Sequence, residues 1–196
     1  MYKTFLVILV SSLCLGADFK IYSYDIINLD GEIVIDGILN ESTWSIGQPI
    51  TKLIQKDPHP RALSRENIEI RVATDNEFIY VGVHLYDNTP DSIASQIIKR
   101  DGWGYSDWFA IGLDSYNDKR TCFSFHVNPS GSIRDMIYFN DTESDDSWDA
   151  IWEAKSTVVS DGWCTEMKIP LSQIRYNPSN EEQVWGLNFY RRIARY

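Results

Sequence analysis

Along most of the chain apolar and polar residues alternate with a period of two, the pattern of strands buried on one face only. Ile68, Ile70 and Val72 point one way, with Glu69 and Arg71 between them. After Asp75-Asn76 the run from Phe78 to Tyr86 is strand-like again, so the two segments read as a hairpin. Further strands are predicted over 108–113, 121–127, 132–139, 152–159, 163–169 and 184–192. Asn128-Pro129-Ser130-Gly131 and Asp161-Gly162 join neighbouring pairs through turn chemistry. No segment sustains a helical period, and Glu41–Ile46, Pro90–Ile98 and Leu171–Ile174 read as short helical turns. About eight or nine strands with turn signals between them predict an all-β fold. The expected architecture is a two-sheet antiparallel β-sandwich, immunoglobulin-like or jelly-roll, with a few short helical turns.

Composition narrows the class. The 196 residues suffice for one domain with a full core. Aromatic residues make up 13% of the chain, with 7 Trp and 11 Tyr, and these rings suit half-wet binding surfaces as well as cores. A net charge of −10 opposes binding to nucleic acid and to anionic membranes, both polyanions that demand Lys and Arg stripes.

The N-terminus reads as an export signal. Lys3 supplies a positive start, Phe5 to Leu15 an apolar run broken by Ser11 and Ser12, and Gly16-Ala17 the small residues of a cleavage site. The expectation is a signal peptide over 1–17 and a mature domain over 18–196, in the periplasm or at the cell surface. Export leaves Cys122 and Cys164, which an oxidising compartment would allow to pair. Two free thiols are the equal alternative.

Enzymatic constellations are missing. His59, His84 and His126 are the only histidines, none at metal-ligand spacing, and no nucleophile elbow or phosphate loop occurs. His126 reads as a structural histidine. Two stretches instead offer what a sugar requires, flat rings for its C–H faces and polar groups for its hydroxyls. In 101–108, Trp103 lies between two glycines in a loop, with Asp107 and Trp108 following. In 145–152, Trp148 sits among Asp145, Asp146 and Asp149. Trp103 and Trp148 are candidate stacking platforms, with core packing as the alternative for each. Trp44, Trp163 and Trp185 lie in apolar alternation and belong to the core. The acids from Asp141 to Glu153 form a solvated loop, a cation site or a set of hydroxyl acceptors. Asp114, Asn117 and Asp118 cluster oxygen ligands in a turn, which suits either a plain turn or a structural Ca²⁺.

Five motifs in order resemble family 9 carbohydrate-binding modules. They are 35–44 (Ile-Asp-Gly-Ile-Leu-Asn-Glu-Ser-Thr-Trp), 72–83, 106–114, 127–131 and 162–170, spanning nearly all of residues 33–192. The resemblance implies a two-sheet β-sandwich, a sugar or glycan end held by tryptophan, and often a structural Ca²⁺. It places Trp103 in the loop of one platform, and the residues themselves offer Trp103 and Trp148 for stacking, Trp108 as a further ligand contact, and Arg134, Asp107, Asp145 and Asp146 for hydroxyls. The chain departs from the family pattern at Ala110, where an acid is expected. Arg100-Asp101, 117–120, 145–149, Trp152 and 188–195 resemble the version fused before a large outer-membrane β-barrel. The function implied is carbohydrate binding without catalysis, any glycosidase activity belonging to enzymes with which such modules travel. One alternative is a periplasmic structural domain of a barrel protein. A haem-binding redox sandwich using Met136, Met167 or His126 is a remoter one.

Overall fold

The predicted hairpin, β4 (Ile68–Thr74) with β5 (Phe78–Tyr86), lies inside the smaller of two sheets in the computed structural model. The structure describes residues 4–9, 22–29, 31–140, 143–178 and 182–196. Most of the expected leader, including Cys14, and Asp141 of the acidic run fall outside them.

In chain order the remaining strands are β1 (Thr4–Leu9), β2 (Tyr22–Asp25), β3 (Ile27–Asn28), β6 (Trp108–Asp114), β7 (Thr121–Val127), β8 (Ile133–Phe139), β9 (Glu143–Asp145), β10 (Glu153–Val159), β11 (Gly162–Pro170) and β12 (Glu182–Arg192). The smaller sheet has the order β10-β11-β5-β4-β3 and the larger the order β2-β1-β12-β6-β7-β8-β9. Pairing is antiparallel except for β3 with β4 and β1 with β12. The helical segments are single 3₁₀ turns at Ser42–Ser45, Pro90–Ser92 and Leu171–Gln173. The fold is thus the expected β-sandwich. Part of the segment read as a leader supplies β1.

Alternation decides what each face carries. Ile79, Val81, Val83 and Leu85 of β5 meet Phe109 and Ile111 of β6 and Phe125 of β7 across the interior, all with no exposed surface. Trp163 and Trp185 are buried there, as predicted. The outer face of the smaller sheet is covered by the chain around Trp44, which packs with Ile33, Ala73 and Tyr80 in a second apolar cluster. Trp44 donates its indole N–H to Glu166 at 2.8 Å, and Glu166 also accepts the Gly37 amide at 2.9 Å. The Asp-Gly…Trp motif is therefore a latch, closed on a carboxylate that comes from β11.

Cys122 and Cys164 are free, and they stand on different sheets. Burial pushes their thiols up to about 12 and about 11, so neither is a reactive thiolate near neutral pH.

Candidate functional site

The outer face of the larger sheet is the open one. Its floor is set by every second residue of four strands. The register aligns Tyr190, Ala110, His126 and Arg134 in one row, and Asn188, Gly112, Ser124 and Met136 in the next. Small side chains along the middle of these rows leave a groove of about 820 Å³. Gly112 helps keep it open, because a Cβ at this position would come 2.6 Å from the Cys122 sulfur and force it to shift.

Trp103 stands at one end. Its ring stacks on Trp108 with centroids 5.3 Å apart and planes 6° apart, and it stays 50% exposed. The guanidinium carbons of Arg134 and Arg192 lie 5.3 and 5.0 Å from its centroid, within cation–π range. The loop that carries Trp103 is tied down on both sides. Asn128 donates to the Gln96 carbonyl at 2.8 Å and to the Ser106 hydroxyl at 3.1 Å. Arg100 donates to Asp135 at 2.7 Å, and Asp135 also accepts the Trp152 indole N–H at 3.0 Å and the Ala150 amide at 2.7 Å. Burial raises the Asp135 carboxyl above its usual range, against the pull of these donors. The stretches 100–101 and 149–152, remote in sequence, thus converge on one buried acid beneath the loop.

The predicted site residues separate into three sets. Trp103 and Arg134 face the groove. Asp145 and Asp146 are exposed at its rim, Asp145 holding the Ser147 amide and hydroxyl and Asp146 lying 3.8 Å from Arg134. Trp108, Asp107 and Trp148 do not line the groove. Trp108 has no exposed surface because Trp103 folds over it, so it backs the platform without offering one. Asp107 is buried, accepts the Ala194 amide at 2.9 Å, and has its carboxyl raised by burial. Trp148 leans inward on Phe123 and Phe125, at 5.3 and 5.7 Å, because the Ala150 bond to Asp135 draws its segment against the interior.

The calcium expectation meets a turn that closes on itself. Asp114 accepts the amides of Asp118 and Lys119, and Asp118 accepts those of Arg120 and Thr121. Among the described residues no group of three or more His, Cys, Asp or Glu side chains is placed to share a metal ion. The carboxylate oxygens of Asp114 and Asp118 thus accept backbone amides and close the turn. Of the side chains considered for haem, Met136 and His126 lie on the outer face while Met167 is inside the core.

Sequence reasoning missed Asn188, Tyr190 and Arg192 on β12, Tyr138 on β8, and Lys119 and Arg120 in the β6–β7 turn. The signal was available as the run of small residues Ala110, Gly112, Cys122 and Ser124 at alternate positions of strands otherwise rich in large ones.

His126 forms part of the groove floor and is 5% exposed, with Nε2 2.9 Å from the Ser124 hydroxyl and Nδ1 without a partner. Burial, and then the charge of Arg134, hold its imidazole down at about 4. An unfolded histidine takes up its proton near pH 6.5, where the folded one does not. The stability due to neutral His126 is therefore fully present above about pH 6.5 and lost as pH falls through about 4. The buried acids Asp107, Asp135 and Glu166 act in the opposite sense, since raised carboxyl pKa values favour the folded state as pH falls. Comparison with His126→Asn isolates the imidazole. The parent should lose on the order of 2 kcal/mol more than the variant between pH 6.5 and 4 in urea denaturation. Parallel profiles would show that His126 titrates normally.

A comparison with curated proteins finds no match. Among solved structures, a family 9 carbohydrate-binding module from Caldicellulosiruptor kristjanssonii in complex with cellotriose superimposes with a TM-score of 0.57 at 18% identity, covering 84% of this chain and 73% of that one. The complex with glucose gives 0.53 at 18% identity, with 84% and 76% covered. A protein from Bacteroides uniformis, proposed to bind carbohydrate, gives 0.62 at 13% identity, with 85% and 81% covered. These likenesses establish a shared sandwich. Residues 35–191 match the family described as carbohydrate family 9 binding domain-like, and the chain belongs to that family.

Proposed function

We propose that this chain is an exported, non-catalytic domain that binds a sugar or glycan end in the groove on the outer face of its larger sheet. The observation that carries the reading is Trp103, a half-exposed indole held rigid by Trp108 at the mouth of a groove floored with small side chains. A pyranose C–H face stacks on such a ring, and a ring already fixed loses little entropy on binding. Arg134, Asn188 and Tyr190 supply hydrogen-bonding groups beside it, and Asp146 supplies one at the rim. The related modules seen with cellotriose and with glucose support the ligand class.

Export belongs to the same proposal, with residues 1–17 removed. Cleavage would take β1 away and leave the 182–187 edge of β12 unpaired by it. A periplasmic setting before an outer-membrane β-barrel, which the resemblance of 188–195 implies, completes the picture.

Exported protein, with Asp18 confirmed as its first residue by N-terminal sequencing, is to be titrated with mono- and oligosaccharides while tryptophan fluorescence is followed, with and without Ca²⁺. Saturable binding is expected, weakened about thirtyfold or more by Trp103→Ala, as for the loss of an anchoring aromatic. A flat response from folded protein would overturn the proposal.

A further inference from the structure

We infer that the groove is built for an acidic oligosaccharide, one bearing carboxylates or sulfate esters on at least two of its units, in preference to a neutral glucan. The inference rests on the carbohydrate-binding reading above and specifies its ligand.

Charge is the first observation. The whole chain carries −10, yet Lys56, Lys119, Arg120 and Arg134 line the groove and Arg192 flanks its tryptophan. Asp114 is the acid among the lining residues, and its two oxygens already accept the Asp118 and Lys119 amides. A concave surface dominated by one sign focuses its field, so the groove, with four cations to one acid in its lining, attracts anions although the protein as a whole repels them.

The second observation is how few of these cations are satisfied. Among the described residues, Lys56, Lys119 and Arg192 have no ion-pair partner, and Arg120 reaches only the Asn140 side chain at 3.5 Å. The rim carboxylate of Asp146 approaches Arg134 no nearer than 3.8 Å, and the buried Nε of Arg134 has no partner. Unpaired like charges around one concavity repel each other, and an anion seated among them relieves that repulsion. Arginine forks suit carboxylate and sulfate oxygens through paired N–H donors.

The third observation is spacing. Arg134 and Arg192 stand at the Trp103 end. Lys119 and Arg120 stand at the other, where Thr121 pairs with Phe139 beside Tyr138. From Arg134 to Tyr138 the strand advances four residues, roughly 13 Å at the rise of a β-strand. One charged sugar cannot reach both ends. An oligosaccharide with charges on separate units can, one unit resting on Trp103 and another near Tyr138.

The test compares affinities of the full chain for tetragalacturonate, a sulfated tetrasaccharide and cellotetraose by calorimetry at low and physiological salt. Polyglutamate serves as a polyanion without sugar. At least one acidic sugar should bind about tenfold or more tighter than cellotetraose, the advantage shrinking with salt. The double variant Lys119→Ala/Arg120→Ala, altered only in an exposed turn, should lower the ratio of acidic to neutral affinity about fivefold. Which acidic sugar leads distinguishes carboxylate from sulfate recognition. Cellotetraose binding as tightly as both acidic sugars would overturn this inference and leave the proposed function standing. Polyglutamate matching the acidic sugars would overturn it too, because charge alone would then suffice. Failure of every sugar to bind folded protein would overturn both.

Discussion

Arg195→Ala is expected to lower unfolding free energy by about 3–5 kcal/mol, the cost of stripping one partner from a buried ion pair. Arg195 donates both terminal nitrogens to Asp87, each at 2.9 Å, and reaches Glu66 at 3.5 Å. The side chain of Asp87 has no exposed surface, that of Glu66 is 4% exposed and that of Arg195 16% exposed. Substitution would leave two buried carboxylates without the guanidinium, Asp87 keeping the Thr89 amide and hydroxyl and Glu66 the Asn88 amide and side chain and the Tyr196 hydroxyl. The Arg195 guanidinium holds Asp87 below the usual carboxylate range against the opposing effect of burial. With a lowered pKa, the contribution of Asp87 is present above the unfolded value near 3.9 and fades as pH falls below it. Without Arg195 one of the groups holding Asp87 down against its burial is gone, so the variant's deficit should be smaller at pH 5 than at pH 7. Urea denaturation at the two pH values measures both effects. A loss under about 0.5 kcal/mol would mean that water replaces the guanidinium, and the clamp would then be a surface contact.

Gly82→Ala should be comparably damaging, although intrinsic propensity predicts the reverse. Glycine within a strand is usually a weakness, and alanine would recover up to about 1 kcal/mol of backbone entropy. Here the added Cβ would lie 2.7 Å from two ring carbons of Trp44. That ring is 4% exposed, packed on Tyr80 and Ala73, and tethered to Glu166, so it cannot swing aside without opening the latch. Expelling a buried indole costs about 3–5 kcal/mol, several times the entropic gain. A double-mutant cycle decides the mechanism. In a Trp44→Ala background the clash is gone, and Gly82→Ala should become neutral or slightly stabilising. If Gly82→Ala costs the same in both backgrounds, the clash with Trp44 is not its cause.

Both clamps show where reading the sequence stopped. Glu66, Asp87, Asp135 and Glu166 look like ordinary surface acids along the chain, because alternation reports a residue's face and not what covers it. Glu166 is buried by a segment about 130 residues earlier, and Asp87 by an arginine 108 residues later. Trp103 and Trp108 illustrate the same limit. Trp103 was legible as exposed, since a tryptophan between glycines in a loop has no core to enter. Trp108 was placed with it as a contact, and only the folding of that loop over the sheet buries it.

What the sequence determined by itself was β4 to β8 and β10 to β12, the turns between several of them and most residues between the sheets, whereas β1, β2, β3 and β9 went unpredicted. Period-two alternation fixes which side of a strand is apolar, and Asn128–Gly131 and Asp161-Gly162 force the chain to reverse. Trp44, Trp163 and Trp185 were correctly read as core, Trp44 in a separate cluster outside the main one. The tertiary structure decided the groove. Its floor and its ring of cations come from four strands and two turns, brought together by register across the larger sheet. Such convergence depends on long-range pairing and has no local signature. A linear sequence can show that Lys119, Arg134 and Arg192 lie on strand ends and turns, but not that they surround one concavity in an otherwise acidic molecule.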